Sequence, residues 1–441
     1  MQKALNLGLS GQQWVFLSYS LALASLYLVG GGLGDRLGHR KIFRRGIIGF
    51  AVASVLAGIA PNGGWLIAAR ILQGISGAFV TTNSLAWLRS VYGDHAGKAV
   101  GLWTSLTGVS TIIAPLLGGA LTQWLSWRYI FYINIPLAVL VLYWSGQGVP
   151  DEPRASGAKP LDLYGSALIA LTFSFLTYFL VQGAESGFTE LWWSLAAGLT
   201  GLTLFILSQL RRDNPLLPLS LFKNRNFSFA NLETFLIYGA LYGLFVYLTL
   251  YLQFLGLTPL SSSLFLIPTS IIMILLAPYF GAKADSIGPR LLLTGGPLLI
   301  GCGALLFSLI NSKGDIWLLG TLGLALFSLG LAMLVAPITA AALKAVPKSF
   351  AGVASGVNNT VSRLGSLTTV AIVGMIISVI FFGEINDKTA VPLGLQQTDA
   401  VLRQASQQGF QAGMWLVASL AFVSGAVGWL GIRNKQAETG Q

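Results

Sequence analysis

The chain has 441 residues, 54% of them hydrophobic and 9% charged, with a formal net charge of +11. Soluble domains carry about 25% charged residues, so this composition excludes a soluble globular protein and reads as an integral membrane protein. The positive charge is no signal for nucleic acid, because the cations sit in short stretches beside apolar runs of membrane length.

Residues 1–12 form a short polar lead. From Gln13 onward, runs of about twenty apolar residues mark spanning helices. Thirteen are expected, at 13–33, 46–60, 65–87, 99–121, 129–145, 164–182, 191–210, 227–255, 261–280, 291–310, 316–342, 352–382 and 410–432. The fold class is therefore an all-α membrane protein. Cys302 is the single cysteine and lies in an apolar run, which excludes an intramolecular disulfide. His39 and His95 fall in expected loops, and neither a metal nor a cofactor site is visible in the sequence. No G-x-x-x-x-G-K-S/T stretch occurs, which argues against ATP-driven transport by this chain.

Orientation follows from the loops. If the segment around Asp35 is inside, inside segments carry 19 Lys or Arg and outside segments carry 5. The positive-inside rule then places the C-terminus in the cytoplasm and Met1 outside.

The densest basic segment is Gly31 to Arg45, GGLGDRLGHRKIFRR. Gly31, Asp35, Gly38 and Arg40 form G-x-x-x-D-x-x-G-x-R, with Arg36 beside the acid. The same spacing returns at Gly281, Asp285, Gly288 and Arg290. An internal repeat outranks other signals. Glycine permits a tight helix end. An acid near the N-terminus of a following helix faces its positive end. Arginine holds neighbouring carbonyls with a planar fork. These properties describe a conformational latch; the alternative is a topology signal alone. The two copies follow the first and ninth spans, and this even offset makes the repeats parallel. Three regions are expected: a five-helix bundle at 1–145, a linker with two extra helices at 146–210, and a six-helix bundle at 211–441.

Charged residues inside spans are candidate sites. Arg70 is either functional or snorkels to the outer interface. Glu233 is the one acid inside a span; it carries a proton or meets a cation, or else it reaches the interfacial cations Lys223 and Arg225. Tyr238 and Tyr242 follow it, with faces suited to a cation. Arg363 lies deeper, just after Asn358 and Asn359, and needs either a partner or a tether to backbone carbonyls. Pro115 kinks its helix, and Gly118 and Gly119 permit close approach beside it.

At these residues the chain resembles the major facilitator superfamily, within it the fourteen-helix branch of drug:proton antiporters. GGLGDRLGHRK is similar to the family's loop motif. LIAARILQGISGA resembles its fourth-helix motif through Arg70, Gln73, Gly74 and Gly77. GVSTIIAPLLGG resembles its antiporter motif through Gly108, Pro115, Gly118 and Gly119, with Ala114 where the family often has glycine. SWRYIFYINIP is similar to the opening of its sixth helix. The resemblance implies two bundles with an extra helix pair between them. It implies proton coupling at Arg70 with Gln73 and Gly74, and a cavity lined by the helix of Glu233. From the residues themselves, Glu233 and Arg363 are further candidates for proton coupling and transport, and Tyr19, Tyr238, Tyr242, Asn358 and Asn359 for the cavity. The resemblance begins near the family's second helix, at QQWVFLSYSLA, so a further spanning helix is expected upstream of Met1.

The expected activity is secondary active export, across the plasma membrane, of hydrophobic or cationic small molecules in exchange for protons. Rival readings are a proton-coupled uptake symporter and a non-transporting receptor or scaffold. Lipid, a small-molecule substrate and protons are the expected partners, without nucleic acid or cofactor; an adaptor protein is left open.

Overall fold

A computed structural model describes residues 2–92, 106, 110, 113–147, 162–212, 215, 219–347, 351–385, 390–394, 397 and 399–434. Among them the regular structure is entirely helical. The chain divides into two compact units, Met1–Pro218 and Leu219–Gln441.

In the first unit, a short helix α1 (Gln2–Leu5) precedes α2 (Leu9–Leu37), α3 (His39–Gly58) and α4 (Gly63–Tyr92). Then come α5 (113–124), α6 (Tyr129–Tyr132), α7 (Asn134–Gly146), α8 (Leu163–Ser186) and α9 (Trp192–Arg211). Both α2 and α3 pack along α4, α7 lies on α3, and α8 pairs with α9 while touching α2. A small core of Leu5, Leu7, Ala57, Leu66, Trp127 and Phe131 closes the end away from the basic motif.

The second unit runs α10 (Arg225–Phe254), α11 (Pro259–Ile287), α12 (Arg290–Ser308), α13 (Thr321–Lys344), α14 (Ala351–Glu384) and α15 (Ala400–Gly431). A π-helical turn, Ile316–Gly320, leads into α13. Here α11 and α12 both pack along α13, and α10 packs on α14 and α15. Each copy of the repeated motif thus joins two helices that share the next one as a partner.

Ten helices among the described residues are long and apolar enough to cross a membrane. They become eleven if α2, bent by 49° between Leu9–Tyr27 and Val29–Leu37, is taken as one span. Of the thirteen expected, 99–121 lies largely outside the described residues. The one at 46–60 appears as α3, whose first two turns carry Arg40, Lys41, Arg44 and Arg45 and so dilute its hydropathy. The last helix starts at Ala400, ten residues before its expected start. Asp399 explains the difference: its carboxylate accepts from the backbone N–H of Val401 and Leu402 and caps a polar extension without an apolar signature.

The expected loop between α2 and α3 is a single residue. Gly38 has φ of +94° and donates its N–H to the Gly34 carbonyl at 2.8 Å. Glycine adopts that backbone at no steric cost, so the turn needs no further residues. In the second copy Gly288, at φ +81°, makes the corresponding turn before Pro289. Asp35 consequently belongs to the last turn of α2, not to the first turn of α3 as its sequence position suggested.

A polar cluster absent from the sequence reading ties the paired helices α8 and α9. Asp162 caps α8 by accepting from Gly165 N–H at 2.8 Å. Its carboxylate also accepts from Gln209 Nε2 at 2.9 Å and from Arg212 at 2.6 Å. The aspartate side chain is buried, and Arg212 is part-exposed. Asp162→Ala removes the cap and takes an acceptor from the buried Gln209 amide, which keeps the Ser208 hydroxyl at 3.1 Å. It is expected to cost about 2 kcal/mol, read as a lower thermal midpoint of the detergent-purified protein. An unchanged midpoint would show that the cluster contributes nothing to holding the pair.

Candidate functional site

The first cluster is built around Arg70 on α4. Its Nε donates to the Val15 carbonyl of α2 at 3.0 Å, and its Nη1 donates to Gln73 Oε1 at 2.9 Å. The guanidinium also lies over the Tyr19 ring, 4.3 Å from its centroid. Gln73 passes the chain on, donating from Nε2 to Ser54 Oγ at 2.8 Å, and Asn134 reaches the same hydroxyl at 3.3 Å. One polar relay therefore joins α2, α4, α3 and α7. The guanidinium turns inward to protein acceptors rather than snorkelling. Gly74, one residue on from Gln73, is buried against α2: a Cβ there would fall on the Tyr19 carbonyl oxygen and 2.8 Å from the Ala22 Cβ.

The repeated motif forms the second cluster. Arg40 donates from Nε to the Ser145 carbonyl at 3.0 Å and from Nη2 to the Gly146 carbonyl at 3.1 Å. These are end carbonyls of α7, which have no partner within their own helix. In the other unit Arg290 donates to the Trp429 carbonyl at 2.8 Å and stacks on that indole at 4.1 Å. Arg225 takes the next two carbonyls of α15, Leu430 at 2.6 Å and Gly431 at 3.0 Å. Both copies thus clamp the C-terminal end of a helix with a cation, where the helix dipole is negative. Asp35 is exposed and pairs with His39 at 3.3 Å. Arg36 follows it in α2, and Asp285 lies in the last turn of α11. A Cβ on Gly31 would meet nothing within 4 Å among the described residues.

The third cluster surrounds α10, and here the expected grouping separates. Glu233 is fully buried, and among the described residues neither carboxylate oxygen has a hydrogen-bond partner. It sits where α15 passes α12: a Cβ on Gly428 would fall on the Leu293 carbonyl and 3.3 Å from Glu233 Oε1. Tyr242 is nine residues on, two and a half turns at about 100° per residue, and so lies on the opposite face. The helix period thus keeps Glu233 apart from Tyr238 and Tyr242. Arg363 approaches Tyr242, with Nη1 3.5 Å from its hydroxyl. Glu233 does not reach Arg225, whose guanidinium is spent on α15. Asn358 joins α14 to α10 through Asn231 at 3.2 Å and Thr234 at 2.9 Å, whereas Asn359 is exposed and donates to its own helix at Ser355.

Of the antiporter stretch, Gly108 lies outside the described residues. Pro115 is exposed on α5, and Gly119 is buried. Gly118, expected at a close helix approach, has no described neighbour there: a Cβ would meet nothing within 4 Å among the described residues.

The sequence profile of the Major Facilitator Superfamily matches residues 1–370. The multidrug resistance protein Stp of Mycobacterium tuberculosis is 31% identical over 386 residues, covering 86% of this chain and 71% of that protein. The tetracenomycin C resistance and export protein of Streptomyces glaucescens is 30% identical over 387 residues, again 86% and 71%. The methylenomycin A resistance protein of Bacillus subtilis is 31% identical over 384 residues, 86% and 82%. Among solved structures, an inward-facing bacterial homologue of the human lysosomal transporter Spinster aligns with a TM-score of 0.69 at 16% identity, over 98% of this chain and 90% of that one. A likeness at that identity speaks for the fold alone, and the sequence relatives carry the rest. With its helical bundles, its twice-used motif and these matches, the chain belongs to the Major Facilitator Superfamily and is a multi-pass membrane transporter, not an enzyme.

Proposed function

We propose that the protein exports hydrophobic or cationic small molecules across the plasma membrane in exchange for protons, by alternating access, with its C-terminus in the cytoplasm. Its similarity to several resistance proteins supports the outward direction. The observation that carries proton exchange is Glu233. An ionised carboxylate without a partner is costly in a tightly packed place, which favours the neutral acid in the packed state. Releasing the proton requires α10, α12 and α15 to part enough to admit water, which ties proton occupancy to helix movement. Arg70 and Arg363 are the cations that respond to that movement, and Asp35 with Arg40, and Asp285 with Arg290, act as latches at the helix ends.

Glu233→Gln keeps the shape and removes the titrating proton. In proteoliposomes with a pH-sensitive dye inside, the native protein is expected to move protons when ethidium is added. The variant is expected to lose that flux by at least about tenfold, which corresponds to about 1.4 kcal/mol of lost coupling. A neutral hydrophobic compound run in parallel separates roles: loss with both compounds marks a coupling residue, and loss with ethidium alone marks a cation contact. Proton flux at the native level with both would overturn the role of Glu233.

A further inference from the structure

We propose that Asp35, His39 and Asn83 form a second proton-binding site, which sets how firmly the α2–α3 junction is held. The inference rests on the latch reading of this junction and adds a ligand to it. Its basis is a hydrogen-bond direction that the neighbours leave no freedom to reverse. Asn83 is fully buried on α4. Its Nδ2 donates to two carbonyls, Gly30 at 2.9 Å and Phe79 at 2.8 Å. The amide oxygen is therefore the atom turned to His39, whose Nδ1 lies 2.8 Å away. An oxygen accepts, so Nδ1 carries a hydrogen. The other ring nitrogen, Nε2, lies 3.3 Å from Asp35 Oδ1.

A neutral imidazole has one N–H, and Asn83 claims it. Nε2 then presents a lone pair to a carboxylate, which repels it. The doubly protonated ring satisfies both neighbours at once. The site thus binds a proton in the range where histidine titrates, near neutrality. Gly34 keeps the space for it, since a Cβ there would fall on Asn83 Oδ1 and His39 Nδ1.

Among the described residues the following charges lie near the ring. From α2 the ring faces Asp35, with Arg36 next along the chain. From α4 it faces the uncharged Asn83; Arg89 is further on, its side chain outside the described residues. On α3, Arg40, Lys41, Arg44 and Arg45 follow, and Arg40 is directed to the Ser145 and Gly146 carbonyls of α7, the helix that carries Tyr143. The cations oppose the imidazolium, and the Asp35 carboxylate and the Asn83 oxygen favour it. The junction is accordingly tighter with the proton bound and loosens as pH rises through the titration of His39. The second copy of the motif has Pro289 at the matching position, so the sensor belongs to the first unit alone.

Hydrogen exchange of peptides covering residues 30–45 tests this, on the full chain in proteoliposomes, with rates corrected for intrinsic pH dependence. The native protein is expected to lose roughly threefold in protection between pH 6 and pH 8, the scale of a part-exposed ion pair. His39→Arg, always charged, and His39→Gln, which never titrates in this range, are both expected to show no step. Asp35→Asn, which removes the charge and keeps the shape, is expected to shrink it. A flat native profile, or a native-sized step in His39→Gln, would overturn the site. Local protection is measured apart from transport. A pH step that persists while Asp35→Asn transports normally would remove the latch reading and leave the proton site standing.

Discussion

Gly74→Ala is expected to separate α2 from α4 and abolish most transport. The added Cβ lands on backbone, the Tyr19 carbonyl and the Leu23 N–H at 3.2 Å, not on the end of a flexible side chain. Only movement of α2 as a whole can make room. That movement also draws the Val15 carbonyl away from Arg70, so one methyl group breaks two contacts. Overpacking of this kind costs about 1–3 kcal/mol, set against about 1 kcal/mol gained when a helical glycine becomes alanine. Gly74→Val should be worse, with a larger branched side chain and no compensating propensity. Gly31→Ala is the control for stability: its Cβ enters open space, and the thermal midpoint should hold or rise. Thermal unfolding of the purified protein together with efflux by cells, corrected for the amount in the membrane, measures both effects. If Gly74→Ala behaves like Gly31→Ala, close approach at Gly74 has no energetic weight.

Arg70→Ala is expected to lower efflux at least about tenfold and to destabilise the first unit by about 2–3 kcal/mol, the scale for hydrogen bonds to a charged group. The loss has three parts: the Val15 carbonyl, the Gln73 oxygen and the Tyr19 ring all lose their partner. Gln73 is buried, so its freed oxygen has no water to turn to. Arg70→Lys is the sharper test. A lysine keeps the charge but is a point donor, unable to span two acceptors while lying flat on a ring. If charge alone matters, Arg70→Lys will transport normally; the relay geometry requires that it stay close to Arg70→Ala. Ser54→Ala, one step further along, removes a hydroxyl that Gln73 and Asn134 share, and should show a smaller loss of the same kind.

The candidate site was partly legible in the chain. Arg70, Gln73 and Gly74 stand out because a charged residue and a glycine in an apolar helix each need a reason, and their spacing of three and four puts them on one side of α4. Arg40 and Arg290 were visible through the repeat, but their targets were not. Ser145, Gly146 and Trp429 contribute backbone carbonyls, and a carbonyl leaves no mark on a sequence. His39 read as a loop residue because it stands among five cations between two apolar runs, and nothing in that segment shows its contact with Asn83. Asn83, an amide in an apolar stretch of α4, was the available signal for it. Asp162 was likewise available as an acid placed directly before an apolar run, the position of a helix cap.

By itself the sequence determined that this is a helical membrane protein, where most of its spans run, and that one motif is used twice in parallel. These follow from local quantities: apolar length against the thickness of a bilayer, the placement of cations, and the spacing of glycine, acid and arginine. The tertiary structure alone decided which residues meet. It put Glu233 against α12 and α15 and turned Tyr238 and Tyr242 the other way, separating residues that proximity in the chain had grouped. It shortened the expected loop to Gly38 and gave Arg40 the end of α7 to hold. The physical reason is rotational. A spanning helix is apolar on nearly every side, so its sequence carries little amphipathic signal to say which face turns inward. That choice falls to the packing of small residues and the few polar groups that must find partners.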